Sequence, residues 1–286
     1  MEIIAMSDLH LSKKPWQVRR AFSLAKDAEL VLIAGDLVND GAPEQFALMQ
    51  QCISELLPDT PVLAVAGNHD YPPQPSPMIR EGICDYPALQ DWLLARQPYP
   101  YILDDSGAYA VRIGEIEVIG LNCVWHWRRF KFVDGAQLRW LETHLDGSDA
   151  VRHIILCHAP PQAHCPKGTG LKPYLSRDEH LQKILDAHRN IIFLSGHTHI
   201  CVRSPGCLDL DAGHNNLYFN IGSIRPTTVP QQDANAEPES AEGNLVRLVV
   251  EKHLTEFLPI SMQTGQTFMH RIYQTEGGGH EIERPF

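Results

Sequence analysis

Cysteine, basic charge and long apolar runs are all scarce in this sequence. Seven cysteines among 286 residues are too few and too scattered for a disulfide scaffold, and an odd number leaves at least one thiol unpaired. No apolar run approaches the roughly 20 residues that a membrane-spanning helix needs. Acidic residues outnumber basic ones by 35 to 24, and the formal charge of −11 disfavours binding to a nucleic-acid polymer. These shortages predict a soluble globular protein with reduced thiols.

The N-terminal residues also lack the features of a secretory signal. Residues 2–8 have no basic start and no small-residue cleavage site, and they run directly into an apolar stretch typical of a strand. We therefore expect a cytoplasmic protein that makes no membrane contact. The length is compatible with one α/β domain, which we place at residues 1–276, followed by a C-terminal tail at 277–286.

Short apolar runs recur along the first 200 residues, and metal-binding residue types follow each of them. The predicted strands are residues 2–6, 30–34, 61–66, 153–157 and 191–195. The predicted helices between or after them are residues 15–27, 43–57 and 176–187. Alternating strands and helices indicate parallel pairing, which brings the carboxyl ends of strands to a common edge.

The residues at these strand ends carry oxygen or imidazole groups. Asp8 and His10 are two positions apart, so on an extended backbone their side chains point the same way. Taken alone, such a pair is a weak motif that is expected by chance in many proteins. The same design, an apolar strand followed by a ligand-type residue, recurs at five strands, and chance explains this poorly. The candidate metal ligands are Asp8, His10, Asp36, Asn68, His158, His197 and His199.

Seven donors without a thiolate suit two divalent transition-metal ions, of the type Mn, Fe, Zn or Ni. Asp36 is the natural bridge, because a carboxylate can give one oxygen to each of two cations about 3.5–4 Å apart. A thiolate site built from Cys165, Cys201 and Cys207 is a weaker alternative, since these residues lack the paired spacing of a zinc knuckle.

In chain order, the motifs are Asp-X-His, Gly-Asp, Gly-Asn-His-Asp, a later His and Gly-His-X-His, and they resemble those of the calcineurin-like metallophosphoesterases. The similarity spans residues 6–200 and is greatest to the class III cyclic-nucleotide phosphodiesterase branch, through residues 7–11, 35–41 and 158–161. This resemblance implies an α/β fold, a four-layer α/β/β/α sandwich of two mixed sheets flanked by helices. It further implies one metal ion held by Asp8, His10, Asp36 and His199, and a second held by Asp36, Asn68, His158 and His197.

The resemblance gives His69 a catalytic role beside the metals rather than a place among their ligands. In such a reaction a metal-bridging hydroxide attacks phosphorus in line, and a protonated His69 would donate to the leaving alkoxide. Several phosphatases of the family pair this histidine with an aspartate three residues after the bridging aspartate, where this sequence has Asn39. Asn39 is expected to orient the His69 ring without stabilising its charged form as a carboxylate would.

Substrate contacts are expected from Asn39, Asn122, His126 and Arg225. Trp125 and Trp127 flank His126, and an aromatic packing corner is the alternative interpretation of this segment. For Arg225, which follows a Gly-Ser turn, the alternative is an ordinary surface position.

The remaining segments predict loops and further β-structure. Proline-rich residues 71–105 are expected to be a lid loop over the strand ends, with a plain surface loop as the alternative. Glycine-containing residues 162–175 are expected to be a second lid loop, and residues 231–243 an exposed acidic loop. After residue 199, short alternating runs predict antiparallel strands in a second sheet packed on the first.

The sequence thus predicts a dinuclear metal-dependent phosphoester hydrolase, with a phosphodiesterase acting on cyclic nucleotides or related small diesters favoured. A phosphomonoesterase acting on a phosphoprotein or small phosphate is the alternative, because the same metals serve both reactions. A nuclease is disfavoured by the acidic charge. A non-catalytic binding scaffold is disfavoured because every candidate ligand position is filled. The sequence makes no prediction about oligomeric state.

Overall fold

The computed structural model describes residues 1–73, 79–81, 83–133, 135–166, 173–204, 206–229, 239–274 and 280–284. The α-helices in these ranges are α1 (Trp16–Ala25), α2 (Pro43–Leu56), α3 (Tyr86–Arg96), α4 (Ala136–Gly147) and α5 (Glu179–Ala187). The strands are β1 (Glu2–Met6), β2 (Leu30–Ile33), β3 (Val62–Ala64), β4 (Ile79–Arg80), β5 (Tyr101–Leu103), β6 (Tyr109–Ile113), β7 (Ile116–Leu121), β8 (Val124–His126), β9 (Phe130–Lys131), β10 (Arg152–Cys157), β11 (Ile191–Ser195), β12 (Leu208–Asp211), β13 (Asn216–Asn220), β14 (Thr227–Val229), β15 (Glu239–Ala241), β16 (Asn244–Val250), β17 (Leu254–Ser261), β18 (His270–Gln274) and β19 (His280–Arg284).

Two seven-stranded mixed sheets form the centre of the molecule. The first has the order β19-β18-β17-β16-β1-β2-β3, and the second has the order β12-β13-β11-β10-β7-β6-β5. In the first sheet β1, β2 and β3 run parallel, and in the second β7, β10, β11 and β13 run parallel. Smaller sheets pair β4-β8-β9 and β14-β15.

Strand β1 shows how the layers are separated. Its alternate residues Ile3 and Ala5 enter the core between the two sheets, while Ile4 and Met6 pack on the opposite face, against α1 and α2. On the outer face of the second sheet, helices α4 and α5 bury Leu141 and other apolar residues. The resulting order of layers is helix, sheet, sheet, helix, which confirms the predicted four-layer α/β/β/α sandwich.

The C-terminal strands were predicted to form a separate second sheet, and this prediction was wrong. Strands β16–β19 do not form a separate second sheet: β16 pairs antiparallel with β1 and so extends the N-terminal sheet. The second sheet is instead centred on β7, β10 and β11. Residues 280–284, expected in a frayed tail, form the edge strand β19 paired with β18.

Residues 71–105 were expected to be an irregular lid loop, but they contain helix α3 and strands β4 and β5. Proline is compatible with this helix because Pro87 lies in its first turn, where no intrahelical amide bond is lost. Leu89 and Leu93 then recur at helical spacing on its buried face. Of the other expected loops, residues 162–164 form a 3-10 turn and 239–241 are β15, while 167–172 and 230–238 lie outside the described residues.

Within the described part of the chain, none of the helices has both the length and the apolar character needed to cross a bilayer.

Candidate metal centre

The carboxyl ends of strands from both sheets meet at one edge of the sandwich. The backbone N–H of His197, after β11, donates to Asp8 Oδ2 over 3.0 Å, and Asp8 follows β1 of the other sheet. His158, after β10, lies 3.4 Å through its Nε2 from Asp36 Oδ2, which follows β2. The candidate site is therefore assembled from two sheets rather than from the single edge that strand alternation alone suggests.

Three overlapping groups of side chains bring ligand-type atoms within 4.8 Å of one another. They are Asp8, His10 and His199; His10, Asp36 and His69; and Asp36, His158 and His197. Among the residues described, no cysteine belongs to such a group, so the alternative thiolate site is not assembled.

The first group, Asp8, His10 and His199, contains a buried carboxylate oxygen that no hydrogen bond within the described part of the chain satisfies. Asp8 Oδ1 is buried and has no hydrogen-bond partner among the residues that the structure describes, although His199 Nε2 lies 3.1 Å away. His10 Nε2 in turn lies 3.3 Å from His199 Nε2. Burial lowers the pKa of His10 to about 4, which favours the neutral imidazole that binds metals. This arrangement fits a divalent cation between the three side chains.

Asp36 lies between two halves of the site, the first formed by Asp8, His10 and His199 and the second by His158, His197 and Asn68. Its Oδ1 accepts a hydrogen bond from the backbone N–H of His69 at 2.7 Å, and its Oδ2 lies 3.4 Å from His158 Nε2 and 3.7 Å from His10 Nε2. Burial alone would raise the pKa of Asp36, but the charge and hydrogen bond of His158 outweigh it and hold that pKa well below its usual range. The carboxylate is thus ionised and faces both halves.

In the second half, hydrogen bonding fixes the orientation of His158. Its Nδ1 donates to the carbonyl oxygen of Ala34 at 2.8 Å, which leaves Nε2 facing Asp36 and, at 3.2 Å, Asn68 Oδ1. Burial alone would lower the pKa of His158, but the Asp36 charge outweighs it and raises the pKa to about 10. Burial lowers the pKa of His197 to about 3, and the neighbouring His158 adds to the effect. Carboxylate, amide and imidazole donors suit a second cation here.

The backbone is strained at five of the seven candidate ligands. The φ angles are 55° at Asp8, 43° at His10, 51° at Asp36, 64° at His197 and 50° at His199. Non-glycine residues rarely adopt such left-handed conformations, and where they do a functional constraint is a common reason.

Two motif glycines are required by close packing. A Cβ on Gly67 would overlap the backbone nitrogen and a carboxylate oxygen of Asp36. A Cβ on Gly196 would overlap the Ser7 hydroxyl. Gly196 therefore permits strand ends from the two sheets to approach each other, and Gly67 permits the ends of the neighbouring strands β2 and β3 of the first sheet to do so.

Several residues that support the site were not identified from the sequence. Asn220, at the end of β13, donates through Nδ2 to the carbonyl oxygen of Gly196 at 2.6 Å and accepts from Thr198 Oγ1 at 2.5 Å, so it holds the loop that carries both C-terminal histidines. Its position at the end of an apolar strand is the same signal that identified the ligands. Asp70 accepts from the backbone N–H groups of Val38 and Gly67, and burial, with Asp36 nearby, raises its pKa to about 7.

The structure corrects the expected role of the Asn39 side chain. His69 Nδ1 donates to the backbone carbonyl of Asn39 at 2.7 Å, whereas the Asn39 side chain donates to Asp40 Oδ1 at 3.0 Å. The ring is thus oriented by the main chain, and the side chain takes no part. The rings of His69 and His10 meet edge to face, with centroids 4.6 Å apart, which places His69 at the rim of the centre.

The other expected substrate contacts are already engaged within the protein. Asn122 donates both amide protons, to Gln90 and to the Gly107 carbonyl, and its Oδ1 accepts from the Ala66 N–H. His126 bonds Glu81 at 2.7 Å. Arg225 donates to the carbonyl oxygens of Leu9 and His10 and so braces the first ligand loop. These bonds give Asn122 and Arg225 structural roles.

Comparisons with known proteins agree with this geometry. A family model described as calcineurin-like phosphoesterase matches residues 1–201. A Synechococcus protein named as a probable cyclic nucleotide phosphodiesterase is 27% identical over 214 residues, covering 70% of this chain and 73% of the relative. An Arcobacter nitrofigilis protein named as a probable glycerophosphodiester phosphodiesterase is 21% identical over 214 residues, covering 70% and 72%.

Two solved structures share the fold over the whole chain. A purple acid phosphatase from yellow lupin (Lupinus luteus) superposes with a TM-score of 0.64 at 12% identity, and this chain spans 54% of that protein, about half of its length. PhoD superposes with a TM-score of 0.61 at 13% identity, with 72% of that chain covered. At these identities the superpositions show a common fold only.

Proposed function

The chain belongs to the calcineurin-like phosphoesterase family, whose members are metal-dependent phosphoester hydrolases, and from this premise we propose that it hydrolyses small phosphodiesters. Cyclic nucleotides and related small diesters are the proposed substrates. Both curated relatives described above carry phosphodiesterase names, which supports diesters over monoesters.

The position of Asp36 is the observation that carries the proposal. One of its carboxylate oxygens faces a histidine of each half of the site, at 3.4 Å from His158 and 3.7 Å from His10. An oxygen in this position is suitably placed to be shared by two cations, one in each half of the site. We assign one ion of the type Mn, Fe, Zn or Ni to Asp8, His10, Asp36 and His199, and a second to Asp36, Asn68, His158 and His197.

When bound, two such cations would supply acidity to water and neutralise charge on the phosphate oxygens. The residues of the chain do the positioning. The bond from His158 Nδ1 to Ala34 holds its ring in the metal-binding tautomer. His69 is the proposed general acid: its Nδ1 proton is held by the Asn39 carbonyl, so its Nε2 is the atom that would protonate the leaving oxygen.

The proposal is tested by hydrolysis of bis-p-nitrophenyl phosphate and p-nitrophenyl phosphate. Metal-stripped protein is reconstituted in turn with Mn²⁺, Fe²⁺, Zn²⁺ and Ni²⁺, and Asp36→Asn is compared with Asp59→Asn, which makes the same chemical change at an exposed site after α2. We expect metal-dependent, preferential diester cleavage that Asp36→Asn abolishes and Asp59→Asn leaves intact. A panel of 3′,5′-cyclic nucleotides and glycerophosphodiesters then identifies the substrate.

Other outcomes would contradict the proposal in distinct ways. Preference for the monoester would indicate a phosphatase. Protein that binds metal but cleaves neither ester nor any member of the panel would indicate a binding role.

A further inference from the structure

A small three-stranded sheet lies beside the metal centre and aligns three side chains. In this sheet β4 pairs with β8, placing Arg80 opposite Trp125, and β8 pairs with β9, placing Trp125 opposite Phe130. Residues directly opposite one another in an antiparallel sheet project from the same face. Arg80, Trp125 and Phe130 therefore form one row on one face of the sheet.

The aromatic members of this row show that this face is directed at the metal centre. The Phe130 ring lies 4.4 Å from that of His197 and 5.7 Å from that of His158, measured between centroids. The Trp125 ring packs on Phe130 at 4.8 Å and lies 6.2 Å from His197. Arg80, at the end of the same row, therefore presents its cationic side chain from the same wall of the site.

The guanidinium of Arg80 has unused capacity to donate hydrogen bonds. Its Nη1 atom is buried and has no hydrogen-bond partner among the described residues. A buried donor without a partner is costly, which points to a ligand absent from the protein alone. The pKa of Asp40 is lowered mainly by the hydrogen bond from Asn39, with a smaller effect from the Arg80 charge. The Arg80 charge thus acts on Asp40, the residue that follows Asn39, whose carbonyl holds His69.

We propose that Arg80 binds an oxygen of the substrate phosphate at the metal centre. The guanidinium is a planar fork that matches two phosphate oxygens. In a chain of formal charge −11, a cation on this wall would also favour entry of an anionic ester. The assignment rests on the proposed phosphoester activity and adds the residue that would orient the phosphate between the metals and His69.

The same small sheet provides a matched control. Lys131 follows Phe130 on β9, and consecutive strand residues project from opposite faces, so Lys131 lies on the face turned away from the metal centre. Lys131→Ala removes one positive charge from the same sheet without removing one from the wall of the site.

The experiment compares Arg80→Ala, Arg80→Lys and Lys131→Ala, each reconstituted with Mn²⁺, against the unsubstituted protein. Binding of inorganic phosphate is measured by calorimetry, diester hydrolysis by steady-state kinetics, and metal content by mass spectrometry. We expect Arg80→Ala to keep its metal, to bind phosphate at least tenfold more weakly, and to lose about 100-fold in kcat/KM. Arg80→Lys should have intermediate phosphate affinity and kcat/KM, and both values for Lys131→Ala should lie within twofold of those of the unsubstituted protein. Added guanidinium should partly restore the kcat/KM of Arg80→Ala.

Phosphate binding separates this inference from the proposed function. Phosphate that binds in an Arg80-dependent manner to a protein that cleaves no ester would support the Arg80 assignment and contradict the proposed function. Unchanged phosphate affinity in Arg80→Ala, no phosphate binding by the unsubstituted protein, or loss of metal together with phosphate binding would each overturn the assignment. If Arg80→Ala does not fold, Arg80→Lys is judged by the same three measurements.

Discussion

His158 Nδ1 lies 2.8 Å from the carbonyl oxygen of Ala34, and this hydrogen bond joins the two sheets directly behind the candidate bridging carboxylate. Ala34 follows β2 of the first sheet, and His158 follows β10 of the second. Gly35 separates Ala34 from Asp36, with a φ of 85°, and a Cβ there would lie 2.5 Å from His158 Nδ1. The bond therefore depends on a residue without a side chain at position 35.

Gly35→Ala should displace His158 and weaken the second metal site. A left-handed alanine costs about 1 kcal/mol of unfolding free energy, and overpacking adds about 1–3 kcal/mol. Gly114→Ala is the matched control, because Gly114 has a φ of 60° with nothing within 4 Å of its added Cβ, so only the backbone cost applies. Chemical denaturation and metal content measure both effects. Equal losses of stability and of bound metal in Gly35→Ala and Gly114→Ala would show that contact with His158 is unimportant.

Metal stoichiometry should distinguish the bridging carboxylate from a ligand of one ion. Asp8 belongs to one candidate group only, whereas Asp36 belongs to two. We expect two Mn²⁺ per unsubstituted chain, one for Asp8→Asn and fewer than one for Asp36→Asn, with melting temperatures that fall in the same order because bound ions stabilise the folded state. Mass spectrometry and thermal melts with and without chelator give the two readouts. Two tightly bound ions in Asp36→Asn would exclude a bridging role.

His69→Ala should slow substrates with poor leaving groups more than those with good ones. A general acid contributes about 10²–10⁴-fold when the leaving oxygen needs a proton, and little for p-nitrophenolate, which leaves unprotonated. The backbone carbonyl of Asn39 accepts from His69 Nδ1 in both charge states of the ring, so it permits the cationic form. Rates for a series of aryl and alkyl phosphodiesters measure how the loss in His69→Ala depends on the leaving group. An equal loss across the series would assign His69 to positioning instead.

Acid should destabilise the fold through His153, which lies far along β10 from the candidate ligands. Burial lowers its pKa to about 4, although Glu117, 3.5 Å away, opposes the shift. The unfolded chain binds this proton below about pH 6.5 and the folded chain does so only near pH 4, so stability falls as pH falls through this window. The loss is at most about 3 kcal/mol.

Urea unfolding between pH 7 and 4 tests this prediction with His153→Gln. Relative to the unsubstituted protein, the variant should lose less stability on acidification, while His180→Gln, at an exposed position on α5, should follow the unsubstituted curve. Parallel curves for all three proteins would show that His153 does not contribute to acid sensitivity.

The candidate ligand positions could be selected from the sequence because their signal is local. Each lies directly after an apolar strand, and pairs such as His197 and His199 share a direction through simple alternation. Membership of a sheet is not local, however. The alternating pattern of β16 is equally compatible with either sheet, and only pairing with β1, more than 240 residues away, decides it.

The substrate contacts were harder to predict because a polar residue type does not reveal its partners. Asn122 and Arg225 are both polar and near the site, yet their donors are used by carbonyl groups of the protein itself. Arg80 lies within the proline-rich stretch 71–105, where no motif marks it, and only its register with Trp125 relates it to the site. Such roles depend on contacts between distant segments.

The pairing of β1 with β16 also has a consequence for the order in which the protein can be completed during synthesis. Strand β1 and all seven candidate ligands lie within the first 199 residues, but the partner on one side of β1 is made only when residues 244–250 emerge. Until then β1 is an edge strand with unpaired backbone groups and apolar side chains, which is prone to intermolecular pairing. A chain ending near residue 201 would contain every candidate ligand and still expose this edge, so we expect it to aggregate.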